Sequence, residues 1–337
     1  MIRAAIIGLG RWGRSLVAAV AGRSDDIIFA RAYTRTRGSA EEFCRDKGVA
    51  LADSYEDILR DPEIDAVVLA TPHSQHQAQV LAAAAARKHI FVEKPITLDL
   101  ASARAAVDAA HKAGVVLAVG LARRFHPSIV AVRERLHSGA LGGVIAMVGQ
   151  HTTSTAQFVP LDNWRATAAE APAGALTAVG VHALDHMIEF AGRVRDVRAV
   201  TARHYPGHSD DTTTLMLQFE SGASGLIFCS VATATNFAFT LYGTAGLAEI
   251  SRADLSRLRF APISTVAPTG RVLAPPDEIF EHLGFDALHA ELTAFARAIR
   301  DGEAYPVPIG DVLHGMAVFD AVVESAKTGA IVAVSGA

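Results

Sequence analysis

The chain has 337 residues, of which 50% are hydrophobic and 20% charged, and its 31 basic and 35 acidic residues leave a formal net charge of −4. This length predicts about two domains, and the composition excludes disordered, collagen-like and coiled-coil proteins. A chain with net negative charge lacks the positive field that nucleic-acid phosphates require, so we predict no nucleic-acid partner.

The start of the chain and its cysteines bear on where the protein resides. Arg11 and Arg14 interrupt the apolar N-terminal run too early for the hydrophobic region of a signal peptide. Elsewhere no apolar stretch approaches the roughly 20 residues that cross a bilayer. Cys44 and Cys229 are far apart in sequence, which favours a reducing compartment over a disulfide framework. We therefore predict a cytoplasmic protein without a membrane partner.

The first third of the chain alternates short β-branched runs with alanine-rich segments of helical length. Strands that are apolar on both faces and separated by helices form parallel sheets covered on both sides. The pattern predicts an α/β domain over residues 1–122 with a doubly wound (Rossmann) parallel sheet. The predicted strands are 2–8, 27–33, 66–70, 89–92 and 115–119, and the predicted helices are 13–21, 39–47, 75–87 and 100–111.

The rest of the chain, residues 123–337, is predicted to form an α+β domain. Its strands follow one another directly between residues 194 and 260, which favours a large, mainly antiparallel open sheet. The C-terminal helices have the option of packing back on the first domain. The predicted helices are 127–137, 175–190, 285–300 and 311–327, and the best-defined strands are 212–219, 225–231 and 237–241.

A glycine motif, Gly8-Leu-Gly-Arg-Trp-Gly13, follows the first strand and opens the first helix. Such glycines allow a tight turn, close approach of the backbone to a pyrophosphate and close helix packing, while the amides of the helix N-terminus bind the negative charge. We therefore predict a dinucleotide site here. The predicted cofactor contacts are Gly8, Gly10, Arg11, Trp12 and Gly13.

The end of the second predicted strand bears on the choice of cofactor. An acid is expected there when a protein binds the ribose hydroxyls of NAD, but no acid occupies the place. Thr34 and Arg35 offer a hydroxyl and a guanidinium for a 2′-phosphate, although these loop side chains could equally be solvated. We predict NADP in preference to NAD.

Two further segments carry a family resemblance. They are Ala70-Thr-Pro-His-Ser-Gln-His76 and Val92-Glu-Lys-Pro95. With the glycine motif they resemble the glucose-fructose oxidoreductase, inositol dehydrogenase and rhizopine-catabolism family, known as Gfo/Idh/MocA. Segments 120–127, 163–165 and 174–185 agree with it, so the resemblance covers nearly the whole chain.

The resemblance implies hydride transfer between nicotinamide and a carbon that bears a hydroxyl or carbonyl, often on a sugar or an inositol. Lys94 matches the lysine that helps the proton move at the reacting oxygen, and His182 matches the histidine of the substrate motif. The family also implies that residues 123–337 bind the substrate and form a homo-oligomer, a dimer or tetramer, through the C-terminal sheet. Positions that match the cofactor side are Thr71, Pro72, His73, His76, Glu93 and Lys94.

One position departs from the family pattern. Many sugar-active members have an Asp four residues before the motif histidine, where this chain has Ala178. Either the remaining groups suffice, or the substrate is not a typical polyol, or the site is not catalytic.

The helix that carries His182 is predicted to present a polar face, because Asp185, His186 and Glu189 stand at offsets of three, four and seven residues from it. We assign His182 as an acid, base or hydrogen-bond donor and Asp185 as the residue that orients it or the substrate. His186 and Glu189 are expected to form helix hydrogen bonds. Gly180, before them, indicates close packing against the cofactor or the sheet.

Other side chains are candidates for the substrate site. Arg124, Trp164 and Arg165 could frame an oxygen-rich or anionic substrate, or they could pack and form salt bridges. Lys94 lies just beyond the carboxyl end of a parallel strand, where open α/β sheets bind ligands, although most lysines are simply exposed. His151 is a weaker candidate.

Metal binding is not predicted. His182 and His186 lie one turn apart but lack an obvious third ligand. His204 and His208, beside two aspartates, are separated by a Tyr-Pro-Gly turn that breaks helical spacing. We predict a solvated turn there.

Three functions remain open. The main hypothesis is an NADP-preferring oxidoreductase that acts on a sugar, a cyclitol or a similar secondary alcohol. A dihydrodiol-type dehydrogenase is the first alternative, favoured by Ala178 and by the apolar segment 172–176. A non-catalytic NAD(P)-binding sensor is the second, although the presence of both Lys94 and His182 argues against it.

Overall fold

The computed structural model describes residues 1–206 and 209–336, which form two compact units. Unit 1 consists of residues 1–125 and 286–313, and unit 2 consists of residues 126–285 and the chain from residue 314 on. The predicted boundary at residue 122 lies three residues before the first change of unit. Residues 286–313, which the sequence analysis placed in the second domain, are part of the first compact unit.

The α-helices and strands occur in the following order. The helices are α1 Arg11–Val20, α2 Gly38–Lys47, α3 Tyr55–Arg60, α4 His76–Ala85, α5 Leu100–Ala113, α6 Pro127–His137, α7 Val181–Ala191, α8 Ala287–Arg300 and α9 Ile309–Thr328. The strands are β1 Ile2–Ile7, β2 Ile27–Tyr33, β3 Ala50–Leu51, β4 Ala66–Leu69, β5 His89–Glu93, β6 Leu117–Gly120, β7 Val144–Thr152, β8 Val194–Ala202, β9 Thr212–Phe219, β10 Ser224–Ser230, β11 Asn236–Gly243, β12 Gly246–Ser251, β13 Arg257–Pro262, β14 Thr265–Val266, β15 Val272–Leu273, β16 Glu278–Glu281 and β17 Val332–Ala333. None of the described helices is long and apolar enough to cross a membrane.

Unit 1 contains a parallel sheet with strand order β3-β2-β1-β4-β5-β6. This is the doubly wound order, so the predicted Rossmann sheet is confirmed. All four residues of β4 are buried, as expected for a central parallel strand with helices on both faces. The two-residue strand β3 and the six-residue helix α3 were not predicted, because such short elements carry too little periodicity to detect.

Helix α8 completes the core of unit 1, although it follows unit 2 in the chain. Its apolar stripe of Leu292, Phe295 and Ala296 is buried in the core cluster of the parallel sheet. The Phe295 ring packs edge-on against Phe91 of β5, with ring centroids 5.7 Å apart. Asp286 caps the helix, since its side chain accepts a hydrogen bond from the His289 N–H. Tertiary packing, which connects distant segments, therefore assigns this helix to the first unit.

Unit 2 contains a sheet with strand order β16-β13-β12-β11-β7-β10-β9-β8-β17. Strands β7 and β10 pair in parallel, and the other neighbouring strands pair antiparallel. The predicted mainly antiparallel sheet is confirmed. Buried and exposed residues alternate along β10, which shows that one face of the sheet is packed and the other is open.

The helix predicted over residues 175–190 is wrong in its first turn. Residues Leu176–Gly180 form a π-helix, and α7 begins only at Val181. A Cβ atom on Gly180 would lie 2.6 Å from the Cys229 Sγ of β10, so the glycine lets this turn approach the sheet. Of the two packing partners proposed for Gly180, the structure places the sheet there. π-Turns are rare and have no simple sequence period that would reveal them.

Candidate functional site

The glycine turn between β1 and α1 leaves no room for side chains at its two ends. Gly8 has a φ of +96°, and a Cβ on it would lie 2.6 Å from the main-chain oxygen of Ala70. A Cβ on Gly13 would lie 1.9 Å from the oxygen of Gly8. Gly10 differs, because a Cβ there would have no neighbour within 4 Å among the described residues. The turn is therefore tightly packed at Gly8 and Gly13 and leaves free space beside Gly10.

The N-terminus of α1 fits a bound pyrophosphate. Gly10 is its N-cap and provides no side-chain hydrogen bond to the first amides, and the first turn of the helix carries no acidic residue. These N–H groups and the positive end of the helix dipole can receive phosphate oxygens. Arg11, at the first helical position, is exposed.

Trp12 connects the glycine turn to the end of β5. Its indole N–H donates a hydrogen bond to the Glu93 carboxylate, and the Glu93 main chain leads directly into Lys94. Burial raises the pKa of Glu93 to about 7, opposed by the Trp12 hydrogen bond and by the charge of Lys94. This connection was not predicted, because residues that are 81 positions apart have no detectable spacing relation in one sequence.

The loops after β4 and β5 are joined by His76. The His76 side chain is fully buried, with Nδ1 3.0 Å from the Pro95 oxygen and Nε2 3.2 Å from the Thr71 oxygen. It therefore braces the main chain on either side of the site. Lys94 itself is half-buried and precedes Pro95 through a cis peptide bond.

The loop after β4 presents half-buried side chains from Thr71 to His73. The Thr71 hydroxyl donates to Gln79 Oε1 at 2.6 Å, and the ring of His73 lies edge-on to the ring of His76 at 5.7 Å. Pro72 lies between them at the start of a 3₁₀ turn. The predicted cofactor-side residues of this segment are thus gathered at the carboxyl edge of the parallel sheet, where such sheets bind ligands.

Two arginines follow β2, and they differ in their surroundings. Arg37 Nη1 is 2.8 Å from the Asp53 carboxylate and also donates to the Ala52 oxygen. Arg35 is exposed and makes no hydrogen bond or ion pair with any residue that the structure describes. Thr34, beside it, is half-buried. Arg35 is therefore the arginine of this loop that can turn toward a ligand without breaking an ion pair.

Arg124 is not an exposed substrate ligand within unit 1. Its side chain is only 2% exposed, and Nη1 lies 2.9 Å from Oδ2 of Asp311. A buried guanidinium needs such a partner to offset its desolvation. The geometry corresponds to the salt-bridge alternative that the sequence analysis left open for this residue.

Two histidines lie close together in unit 2. His182, on α7, is half-buried, and its ring centroid is 5.8 Å from that of His151 on β7. His151 Nδ1 lies 2.9 Å from the Val179 oxygen, and since a carbonyl oxygen only accepts, Nδ1 carries the hydrogen. The edge of the His151 ring also contacts Phe237. The pair offers imidazole groups for acid and base chemistry.

The other polar residues of α7 occupy different environments. Asp185 is 8% exposed. Glu189 accepts a hydrogen bond from Arg133 Nε at 2.5 Å, and its Oε2 lies 3.8 Å from Nδ1 of His186, one helical turn earlier. His186 is fully buried and packs against Phe190 and Phe239, and neither ring nitrogen has a hydrogen-bond partner among the described residues. His186 and Glu189 therefore face each other along α7, at a separation of 3.8 Å that is longer than a hydrogen bond.

Trp164 and Arg165 form a stacked pair. The Arg165 guanidinium carbon is 4.0 Å from the centre of the Trp164 ring, within cation–π range. The Asn163 side chain caps the turn by accepting a hydrogen bond from the Arg165 N–H. Ala178 is exposed, so the position of the missing family acid is accessible to solvent within this unit.

The segment around His204 is held by a buried acid. Asp211 accepts hydrogen bonds from the main-chain N–H groups of His204 and Tyr205 and from the His204 ring. These bonds keep the pKa of Asp211 below its usual value despite the opposing effect of burial. His208 lies outside the described residues. Across residues 1–206 and 209–336 there is no group of three or more His, Cys, Asp or Glu side chains that could hold a metal ion.

Comparisons with known proteins agree with this arrangement. Residues 2–121 match the family profile GFO_IDH_MocA, described as an oxidoreductase family with an NAD-binding Rossmann fold, and residues 129–249 match the GFO/IDH/MocA C-terminal domain. The chain is 30% identical over 230 residues to trans-1,2-dihydrobenzene-1,2-diol dehydrogenase of Oryctolagus cuniculus, covering 68% of each protein. It is 29% identical over 309 residues to D-xylose 1-dehydrogenase (NADP(+)) 2 of Haloferax volcanii, covering 90% of each.

A solved structure extends the likeness of the fold to nearly the whole chain. The structure of levoglucosan dehydrogenase in complex with NADH and levoglucosan superposes with a TM-score of 0.87 at 24% sequence identity, covering 99% of this chain and 100% of that one. With both domain profiles matched in order, this chain belongs to the Gfo/Idh/MocA family of oxidoreductases.

Proposed function

We propose that this enzyme transfers a hydride between NADP and the secondary alcohol or ketone of a sugar, a cyclitol or a related small molecule, with NAD as the alternative cofactor. One observation carries the proposal: the Trp12 indole joins the glycine turn to Glu93, directly before Lys94. A phosphate-binding helix terminus and a lysine that can exchange a proton thereby belong to one edge of one sheet. The xylose dehydrogenase among the relatives supports the substrate class.

Lys94 is the residue to which we assign the proton at the reacting oxygen. A bound nicotinamide supplies or accepts the hydride. During reduction of a carbonyl, negative charge develops on the substrate oxygen, and an ammonium group at Lys94 stabilises that charge and donates a proton. During oxidation, the neutral amine removes the proton of the hydroxyl.

Residues of unit 2 are proposed to serve the substrate. His182 acts as a second acid, base or hydrogen-bond donor, and Asp185 orients it or the substrate. This role is supported by the neighbouring His151, whose bond to the Val179 oxygen holds that ring in place. Trp164 and Arg165, stacked on each other, offer an aromatic face and a guanidinium to an oxygen-rich ligand.

Arg124 contributes differently. Its buried ion pair with Asp311 supports a structural role, in which it fixes the segment that follows β6. We propose that it positions the loop after β6 and does not contact the substrate itself.

The dihydrodiol alternative has its own supporting observations. Ala178 supplies no carboxylate at the position where many sugar-active members have one. The relative from Oryctolagus cuniculus is named for a trans-dihydrodiol of benzene. A substrate panel that contains both cyclic polyols and aromatic dihydrodiols therefore discriminates between the two classes.

We also propose that a second copy of the chain covers the open face of the large sheet. This outer face carries exposed apolar side chains, and cross-strand register places Leu226 beside Met216. Val200, Phe228 and Tyr242 extend the apolar surface across neighbouring strands. Contiguous exposed apolar surface of this kind favours self-association, because a two-fold axis lets the same patch cover itself.

The decisive experiment measures both directions of the reaction. For reduction, NADPH or NADH is supplied with keto-sugars, inosones and oxidised dihydrodiols. For oxidation, NADP or NAD is supplied with the corresponding alcohols. Turnover is followed by nicotinamide absorbance. Turnover on a sugar or cyclitol supports the proposal, and turnover confined to dihydrodiols supports the alternative. Tight cofactor binding without turnover on the whole panel would leave the sensor function.

The same assay tests the assigned chemistry. Lys94→Met is expected to lower kcat by roughly 10²- to 10⁴-fold, the usual contribution of a positioned acid or base, while the cofactor Kd changes only a few-fold. Lys112→Met, at an exposed lysine near the end of α5, is the matched control. An unchanged kcat in Lys94→Met would remove this residue from the mechanism.

A further inference from the structure

Helix α8 brings a second buried carboxyl group to the neighbourhood of Glu93. Glu291, on α8, has no exposed surface. Phe295 follows it by one helical turn and packs on Phe91, which precedes Glu93 by two residues on β5. Residues four apart on a helix and two apart on a strand share a face. The contact between the two rings therefore aligns Glu291 with Glu93.

A glycine on the adjacent strand makes room for this arrangement. Gly120 of β6 stands opposite Glu93 in the sheet register. A Cβ atom on Gly120 would lie 2.8 Å from Glu93 Oε1 and 3.0 Å from the Phe91 ring. The Glu93 side chain thus lies over the glycine, on the face that α8 covers.

The two carboxyl groups have unequal partners. Glu93 accepts hydrogen bonds from the Trp12 indole and from the Lys94 main-chain N–H, and the charge of Lys94 favours its ionised form. Neither oxygen of Glu291 has a hydrogen-bond partner among the described residues. Burial, and then the charge of Glu93, raise the pKa of Glu291 well above its usual value. The donors therefore favour the anion at Glu93 and the neutral acid at Glu291.

Other charged groups come from the elements that pack against α8. The short helix Ala122–Phe125 carries Arg123, whose pKa is lowered to about 10 by burial, and Arg124, which is paired with Asp311. Helix α1 contributes the Trp12 donor. Strands β1 and β2 contribute apolar side chains to the same core.

We infer that Glu291 is a positioning residue for the cofactor site: it stays uncharged and so leaves Glu93 as the one buried anion that holds Trp12 and Lys94. Ionisation of Glu291 would place a second negative charge in the same apolar core, which a buried site resists. Glu93 and Trp12 would then separate, and the glycine turn would lose its connection to β5. Cofactor affinity is therefore expected to fall as the pH rises through the raised pKa of Glu291. This inference rests on the proposed function only in taking the dinucleotide as the ligand.

The emission of Trp12 reports on this pair without any cofactor. The chain has two tryptophans, so Trp164→Phe leaves Trp12 as the single emitter, and the spectrum is recorded over about pH 6 to 10. Two transitions are expected, one near pH 7 for Glu93 and a second, termed the alkaline transition, at higher pH for Glu291, which ionises against the charge of Glu93. Glu291→Gln should abolish only the alkaline transition. Glu93→Gln should abolish the neutral one and move the alkaline one to lower pH, because the repelling charge is gone.

Cofactor binding provides the functional measurement. In the chain with both glutamates, the Kd for NADPH and for NADH is expected to rise about 10-fold or more as the alkaline transition is crossed. A tenfold rise corresponds to a shift of one unit in the pKa of Glu291 between the free and the cofactor-bound protein. In Glu291→Gln the Kd should stay constant over that range. An alkaline rise in Kd that persists in a folded Glu291→Gln protein would overturn the inference, as would the absence of an alkaline transition in the unaltered chain.

A second variant keeps the test valid if the amide disturbs folding. Glu291→Met is neutral at every pH and apolar, and it should reproduce the constant alkaline Kd of Glu291→Gln. Failure of the inference is distinguishable from failure of the proposed function. If neither cofactor binds at any pH, the proposed function fails, whereas the Trp12 emission still decides the role of Glu291.

Discussion

Two arginines that follow the carboxyl end of β2 bear on the proposed preference for NADP over NAD. Arg37 is held by Asp53 at 2.8 Å, whereas Arg35 is exposed beside it and is unpaired within the described structure. An arginine already in an ion pair must give up that bond to meet a phosphate, and an unpaired one does not. We therefore propose that Arg35 is the residue that contacts the 2′-phosphate of NADP.

Arg35→Ala is expected to weaken NADPH binding and to leave NADH binding within about twofold. A charge-assisted hydrogen bond contributes about 1.5–3 kcal/mol, so the NADPH Kd should rise roughly 10- to 150-fold. Titration of nicotinamide fluorescence measures both constants. Arg37→Ala is the matched control and should change the two affinities alike. Equal losses for NADPH and NADH in Arg35→Ala would refute the assignment.

Helix α8 and the π-turn before α7 each pack on a sheet through a few specific side chains. Helix α8 brings an apolar stripe and a buried acid to the parallel sheet, and the π-turn before α7 brings Gly180 against Cys229 of β10. Burial raises the pKa of the Cys229 thiol to about 12, so this sulfur behaves as a neutral packing group. Both contacts depend on side-chain volume or charge at one position.

Gly180→Ala is expected to destabilise the protein. The added methyl group would lie 2.6 Å from Cys229 Sγ, and overpacking of this kind costs about 1–3 kcal/mol, more than the roughly 1 kcal/mol that alanine gains over glycine in a helix. Urea unfolding measures the free energy. Adding Cys229→Ala should recover part of the loss, because the smaller side chain makes room. Equal stability of Gly180→Ala and the unaltered chain would contradict the close contact.

The buried acids of unit 1 predict a pH dependence of stability. A carboxyl group whose pKa is raised on folding holds its proton more tightly in the folded state. The stability it contributes is complete below the unfolded pKa, about 4.3, and is lost as pH rises through the folded pKa, which is about 7 for Glu93 and well raised for Glu291. The free energy of unfolding should therefore decline over this range.

Glu291→Gln should lose less stability with rising pH, because glutamine has no proton to release. The difference in unfolding free energy between Glu291→Gln and the unaltered chain should grow above about pH 5 by at most about 1.4 kcal/mol per pH unit. Urea melts at several pH values measure it. Glu303→Gln, at an exposed position in unit 1, is the control. Parallel curves for Glu291→Gln and the unaltered chain would show that Glu291 is ionised in the folded state.

At the scale of the whole molecule, the open face of the large sheet is the feature that a single chain leaves uncovered. Met216 is 62% exposed and Leu226 42% exposed, at neighbouring positions of β9 and β10. A stable protein–protein interface buries about 1,200–2,000 Å², so an interface here must extend beyond these two residues to the neighbouring strands. We propose that the assembled protein covers this face.

Met216→Lys combined with Leu226→Lys is expected to convert the oligomer into monomers. Charges buried in an apolar interface without partners are costly, and two copies would bring like charges together. Light scattering after size-exclusion chromatography measures the mass. Val266→Lys, an exposed position on the small two-stranded sheet, controls for the added charge. A monomeric unaltered chain, or an unchanged mass in the double variant, would refute the proposed interface.

Patterns along the chain predicted a large part of the architecture. The strand over residues 27–33 and the helix over 127–137 match the observed elements end to end. Period and composition are local properties, so long elements with strong patterns are readable from one sequence. The glycine motif was equally clear, because its three glycines stand within six residues, and two of them, Gly8 and Gly13, occupy positions with no room for a side chain.

Other features had no local signal. The Trp12–Glu93 bond, the Arg124–Asp311 pair and the approach of Glu291 to Glu93 each join residues that are far apart in the chain. Charge and residue type alone left Arg124 open as a substrate ligand or as a salt-bridge partner. The structure buries Arg124 in an ion pair with Asp311. The sequence gives no sign of this pair, because the two residues are 187 positions apart.

The order of residues was sufficient to identify the parallel and antiparallel sheets, the glycine turn and the family, since each depends on steric and hydrophobic patterns within short stretches. Tertiary structure alone decided that residues 286–313 complete the first unit, that a π-turn precedes α7, and which polar side chains are buried in pairs. The physical reason is that desolvation and close packing depend on what surrounds an atom in space, and the neighbours of Glu93 and Gly180 come from distant parts of the chain.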